Sequence, residues 1–186
     1  MRYSSNHKAE TRKRIIGEAS RRFRKNGIEG TGLVPLMKAL GLTHGGFYAH
    51  FTSKDALVQA SLEAAVGDML ARWPDPRNGE ELRAFVDDYL SAQHRDNPGE
   101  GCPLTSLGVE LGLRGTPSST SDAMVARMAE RLAGSEVRAA APQQGMVALA
   151  AMVGAIALAR AVSDPATSDG ILDAVRAAIQ PPADEG

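Results

Sequence analysis

Residues 31–57 read TGLVPLMKALGLTHGGFYAHFTSKDAL, and the order of helix starts and stops within them narrows the possible folds sharply. Pro35 falls in the first turn of an apolar run at 33–40, the part of a helix that tolerates proline, and Gly32 can serve as its N-cap. Gly41 ends that run. Thr43 can cap a short helix at 43–50, whose inward side is Phe47 and, at i+4, Phe51. Ser53 then caps a long helix in which Ala56, Leu57, Ala60, Ala64, Met69 and Trp73 return to roughly one side, until Pro74 and Pro76 break it.

The same punctuation continues on both flanks. Residues 7–26 carry Ile15, Ile16, Ala19 and Phe23 at helical spacing among basic residues, with Gly27 as the stop. Beyond the prolines, helices are predicted at 80–94, 104–113, 121–132, 143–163 and 168–179, the last closed by Pro181 and Pro182, with loops at 97–103 and 115–121. No alternating strand and no internal repeat is visible, so the expected fold is all-α.

Charge divides the chain. Residues 1–60 hold eleven Lys and Arg against four Asp and Glu, whereas residues 61–186 hold ten against eighteen, so a net charge of -1 conceals a basic part and an acidic part. Clustered basic residues attract phosphates through counterion release, and a solvated basic helix is the plainer alternative. The single cysteine, Cys102, excludes an internal disulfide framework and fits a reducing compartment. The polar, basic start has no apolar signal region, and the apolar run at 146–159 is too short to span a bilayer, so a cytoplasmic protein without a membrane partner is expected.

Three chemistries compete for the glycine- and histidine-rich run 41–57. A metal pair of His44 and His50 would place its ligands on different faces of a short helix, with no Cys, Asp or Glu at ligand spacing beside them. A nucleotide loop would need a lysine-serine ending after a strand, and neither is present. No cofactor is therefore expected. A helix-turn-helix needs a sharp turn, here Gly41, and a buried staple, here Met37, Leu42 and Phe47. Its second helix must expose small or polar groups to approach base edges, as Thr43, His44, Gly45 and Gly46 can.

In these features residues 31–57, with the preceding RKRIIGEASRRFRKNGIEG, resemble the DNA-binding signature of the TetR family of bacterial transcriptional regulators. The resemblance is specific over the first third of the chain; the rest matches in being helical and of suitable length. It implies an N-terminal three-helix helix-turn-helix DNA-binding domain at 7–52, joined by a long helix to a C-terminal helical effector-binding and dimerisation domain at 53–180. It also implies that Tyr48, His50 and Lys54 contact phosphates, with Thr31 and Gly32 near the DNA backbone. Gly46 stands where many members of the family carry a side chain, so base reading would rest on Thr43, His44 and Lys38, supplemented by DNA shape.

The resemblance further implies a homodimer built on the last two helices, where Ala148, Ala151, Gly154, Ala155 and Ala159 permit close approach. It implies a small-molecule effector enclosed by residues 80–140, with Met69, Trp73, Phe85, Tyr89, Leu104, Leu107, Leu111, Met124 and Met128 as candidate lining. Cys102, at the start of the 104–113 helix, is a candidate effector contact and reactive thiol. The expected function is a dimeric repressor released from a palindromic operator by its effector. A helical protein-interaction module would explain the apolar surfaces but not the basic glycine-turn helix pair. A small helical enzyme using His44, His50 or His94 would need a nucleophile and base together, and no such set is visible.

Overall fold

The computed structural model describes residues 2–133 and 142–180, and every regular element among them is a helix. Pro181 and Pro182, and residues 134–140 of the stretch expected to enclose an effector, lie outside the described residues. The chain forms two compact units, one of residues 1–69 with 98–118, the other of residues 70–97 with 119–186.

The first unit begins with α1 (Arg2–Asn26), which starts earlier than its apolar pattern does. It stops where Gly27 turns left-handed at φ 77°. Helix α2 (Leu33–Ala39) follows, and its end is a Schellman turn: Gly41 has φ 71°, Gly41 N–H donates to Lys38 C=O at 3.0 Å and Leu42 N–H to Met37 C=O at 2.9 Å. The short helix expected at 43–50 is a tighter 3-10 turn, Gly45–Ala49. Two adjacent glycines cost about 1 kcal/mol each in an α-helix, and the Thr43 hydroxyl accepts the Gly46 N–H at 3.2 Å, which favours the tighter winding. Ser53 caps α3 (Lys54–Arg72) by accepting the Ala56 N–H at 3.0 Å.

One core closes this unit. Ile15, Ala19 and Phe23 of α1 meet Leu36 and Met37 of α2, Phe47 and Phe51, and Leu57, Val58 and Leu62 of α3. Leu107 and Leu111 complete it from α6 (Leu107–Leu113). The expected boundary at 52/53 therefore does not coincide with the compact units. The first half of α3 packs on the helix-turn-helix, and a segment from the middle of the chain joins the same core.

The second unit holds α4 (Gly79–Tyr89) and α5 (Ala92–Asp96), a single helix in the sequence pattern. The split occurs at Ser91, whose hydroxyl donates to Asp88 C=O at 2.7 Å and accepts the His94 N–H at 3.2 Å, ending one helix and capping the next. Asn78 caps α4 through the Glu81 N–H at 2.8 Å. Helix α7 (Ser119–Ala133) begins two residues earlier than expected and crosses α8 (Pro142–Ala161) at backbone distance, since a Cβ on Gly145 would lie 2.1 Å from Ala129 O. Asp75 holds α7 from outside, accepting from Arg127 at 2.7 Å and from the buried Arg131. Helix α9 (Pro165–Ile179) starts at Asp164, which accepts the Thr167 N–H at 2.9 Å, three residues before the predicted start because the cap and the first-turn proline were read as loop.

The apolar run in α8 is longer than the sequence pattern indicated. Residues 143–161 form 19 residues of mean hydropathy 1.6, long enough by composition alone to cross a bilayer. Here Ala148, Leu149, Met152, Ala155, Ile156 and Ala159 are buried within the second unit, while Met146, Val147 and Leu158 are exposed.

Candidate nucleic-acid interface

Around the tight turn of the first unit the aromatic residues divide as their spacing predicts. Phe47 is fully buried and Phe51 nearly so, their rings stacked with centroids 5.6 Å apart, whereas Tyr48 is 61% exposed. His44 braces Tyr48 edge-on at 5.8 Å, and Phe47 does the same from beneath at 5.2 Å. Thr43, His44, Gly45 and Lys38 are exposed; Gly46 and Lys54 are half-buried. Gly46 is close-packed, for a Cβ there would lie 3.3 Å from Thr43 Oγ1. The turn thus offers small and polar groups outward from a rigid aromatic base.

Of the two residues expected near the DNA backbone, one is occupied otherwise. Thr31 is buried and its hydroxyl donates to Gly27 C=O at 2.8 Å, so it closes the α1–α2 turn. Gly32, extended at φ -78° and ψ 143°, is exposed at the N-terminus of α2, with its carbonyl accepting from Leu36.

His50 sits at the end of the turn beside the start of α1. Its Nδ1 is buried without a hydrogen-bond partner, and its pKa lies below the usual histidine value through desolvation and the positive charges of Lys8 and Arg12. Arg12 lies over the Phe51 ring, 4.8 Å from its centroid. Lys8 and Arg12 were not singled out in the sequence; the basic face of α1 was the signal for them. Arg14 instead donates to Leu40 C=O at 3.1 Å on the surface, tying α1 to the end of α2.

The residues expected to line an effector cavity fall in both units. Met69, Cys102, Leu104, Leu107 and Leu111 belong to the first, where Leu107 and Leu111 are part of the closed core. Cys102 is 0% exposed, near the buried Arg24. Trp73, Phe85, Tyr89, Met124 and Met128 belong to the second and are all buried there. The first three form an aromatic cluster that the sequence did not complete: His94 joins it, 4.7 Å from the Tyr89 ring and 5.6 Å from Trp73. His94 Nδ1 lies 2.7 Å from Tyr89 C=O, and burial lowers its pKa to about 4, so at neutral pH the ring is uncharged and donates from Nδ1. A cleft of about 370 Å³ in the same unit, lined by Arg95, Asp96, Arg160, Ser163 and Ser168 among others, was also missed. Its polar residues come from α5, the end of α8, the bend after it and α9, and no local pattern marks it.

This is an all-helical protein with a helix-turn-helix at its amino-terminal end. Residues 15–61 match the family model of bacterial regulatory proteins of the tetR family. It is 43% identical over 65 residues to the HTH-type transcriptional regulator TtgR of Pseudomonas putida, a match covering 34% of this chain and 31% of TtgR. The matched stretch thus spans about a third of that relative's length. Solved structures match over far more of the chain. A TetR transcriptional regulator from Chloroflexus aurantiacus superposes with a TM-score of 0.73 at 23% identity, covering 94% of this chain and 96% of the other. AibR in complex with isovaleryl coenzyme A and operator DNA superposes with a TM-score of 0.62 at 21% identity, covering 92% and 99%.

Proposed function

We propose that the chain is a homodimeric, ligand-responsive transcriptional repressor that binds a palindromic DNA operator and is released from it by a small-molecule effector. The observation that carries the DNA-binding part is the outward polar surface of the 43–54 region, fixed over the buried Phe47–Phe51 pair at the end of a basic α1. Tyr48 and Lys54, with His50, Lys8 and Arg12, hold phosphates; Thr43, His44 and Lys38 reach base edges. With Gly45 and Gly46 between them, few side chains read sequence directly, and groove shape contributes the rest.

Dimerisation through α8 and α9 is supported by the apolar groups they leave uncovered. Val147 and Leu158 are 68% and 59% exposed, and Ile171, Val175 and Ile179 of α9 are only half-buried. A two-fold axis would place two recognition turns about 34–36 Å apart, one helical repeat of DNA. Effector binding is supported by analogy with AibR, whose structure holds both a thioester ligand and operator DNA. Trp73, Phe85, Tyr89, Met124 and Met128 are the apolar residues of the second unit most suited to it, with about 1–3 kcal/mol of coupling to DNA affinity. Acting on DNA inside the cell, such a regulator works in the cytoplasm and catalyses nothing.

The deciding experiment is fluorescence anisotropy with the duplex upstream of the protein's own gene. Wild type is expected to bind with steep salt dependence and to be competed poorly by unrelated duplex. Tyr48→Ala and Lys54→Ala should each weaken binding about tenfold, and Lys54→Ala, which removes a cation, should also flatten the salt slope. Equal affinity for every duplex, or no binding at low salt, would refute the reading.

A further inference from the structure

The first unit contains residues 98–118, which lie far along the chain from the helices they pack on. Four contacts fasten them to α1, to the residues just past its end and to α3. A Cβ on Gly99 would lie 2.9 Å from Arg21 Cγ and 3.3 Å from Arg21 O, so the two backbones meet without room for a side chain. Arg24, buried, donates to Gly101 C=O at 2.8 Å. Glu110, on α6, accepts the Ile28 N–H at 2.8 and 3.0 Å on its two oxygens, and the Glu29 N–H more weakly at 3.4 Å. Arg114 pairs with Asp55 in the first turn of α3 at 3.1 Å.

The Glu110 contact stands where α1 has ended. Past the left-handed Gly27, the amides of Ile28 and Glu29 have left the helix, and a carboxylate is a strong acceptor for such donors. Gly27 leaves room for it, since a Cβ there would lie 3.2 Å from Glu110 Oε2. From these amides the chain runs through buried Ile28 and Thr31 directly into α2.

We propose that Glu110 is a positioning residue for operator binding: it holds the 28–31 bridge, and so α2 and the turn after it, in the orientation that DNA requires. The inference rests on the DNA-binding reading above. It deepens that reading by making DNA affinity depend on where residues 98–118 lie. Both ends of that segment continue into the second unit, so a displacement imposed on its ends acts on the amides that α2 hangs from.

The test uses the full chain, Glu110→Ala and Glu110→Gln, and the same upstream duplex, at a temperature where circular dichroism shows all three proteins fully folded. Hydrogen exchange at the Ile28 and Glu29 amides is followed alongside affinity. The expected result for Glu110→Ala is faster exchange at both amides and about tenfold weaker DNA binding, the size of one charge-assisted hydrogen bond. Glu110→Gln, which keeps the shape and one carbonyl acceptor, should recover most of the affinity, and it carries the test if the alanine variant does not fold. Folded Glu110→Ala that binds as wild type does, or exchange at Ile28 and Glu29 unchanged from wild type, overturns the proposal and leaves DNA binding standing. Wild type that binds no duplex removes the underlying reading itself.

Discussion

The two units treat their outer surfaces in opposite ways. In the first, large apolar side chains of the 43–54 region are enclosed, and what faces outward is Thr43, His44, Gly45 and Tyr48, with Lys38 exposed on α2. In the second, α8 is apolar on every side, and the part left outside is Met146, Val147 and Leu158. A helix that is apolar all round is stable in water only when something covers it. The first surface is built for a hydrated, charged partner and the second for an apolar one. On the proposed reading, DNA and a second copy of the chain are those partners.

The largest expected effect breaks the second half of that contrast. Val147 and Leu158 lie three helical turns apart on one side of α8, and both are exposed. Replacing them together, Val147→Asp with Leu158→Asp, sets charges in the proposed interface without disturbing the buried residues of α8. Light scattering at micromolar concentration should change from a dimeric to a monomeric mass. Operator affinity should fall about a hundredfold or more, because each half-site is then bound without the other. A double variant that remains dimeric would place the interface elsewhere.

A second prediction concerns the interior of the same unit. The unfolded chain takes up a proton at His94 near pH 6.5, whereas the folded protein does so only near pH 4. Because the folded pKa is the lower one, this stability is complete above pH 6.5 and is lost as the pH falls towards 4. The loss is about 2 kcal/mol at pH 5, or roughly 4–8 °C in melting temperature for a chain of this size. Melting curves at pH 7.5 and pH 5 should show a larger drop for wild type than for His94→Asn. Equal drops would mean that the aromatic cluster does not keep the ring neutral.

Much of this architecture was legible because local chemistry marked it. Gly27 and Gly41 sit at the left-handed positions that end α1 and α2, and Ser53 caps α3 through its own hydroxyl. The i, i+4 spacing of Phe47 and Phe51 was enough to turn Tyr48 outward. What escaped depends on partners distant in sequence. Nothing near Glu110 signals that it serves amides 82 residues earlier, and nothing in the apolar pattern of α6 says that Leu107 and Leu111 complete the helix-turn-helix core. Ser91 looks like an ordinary helical residue until its hydroxyl is seen to end one helix and begin another. Thr31 reads as a free hydroxyl near DNA, yet it is spent on Gly27.

The smallest effect sharpens the first half of the contrast. His50 faces Lys8 and Arg12 of α1, with Arg12 held over Phe51, and these charges together with desolvation hold its pKa below the ordinary value. A DNA phosphate entering this basic group reverses the field: it offsets Lys8 and Arg12 and favours the protonated ring. The complex therefore binds protons more tightly than the free protein, and DNA affinity should rise as pH falls from about 7.5 to 5.5. One proton per protomer limits the slope to about tenfold per pH unit for each half-site, and a few-fold in total is expected. Anisotropy titrations at constant ionic strength measure the slope. His50→Gln should flatten it while leaving affinity at pH 7.5 nearly unchanged, since the wild-type ring is mostly neutral there. A slope that survives His50→Gln intact would move the proton, and the phosphate, to another group.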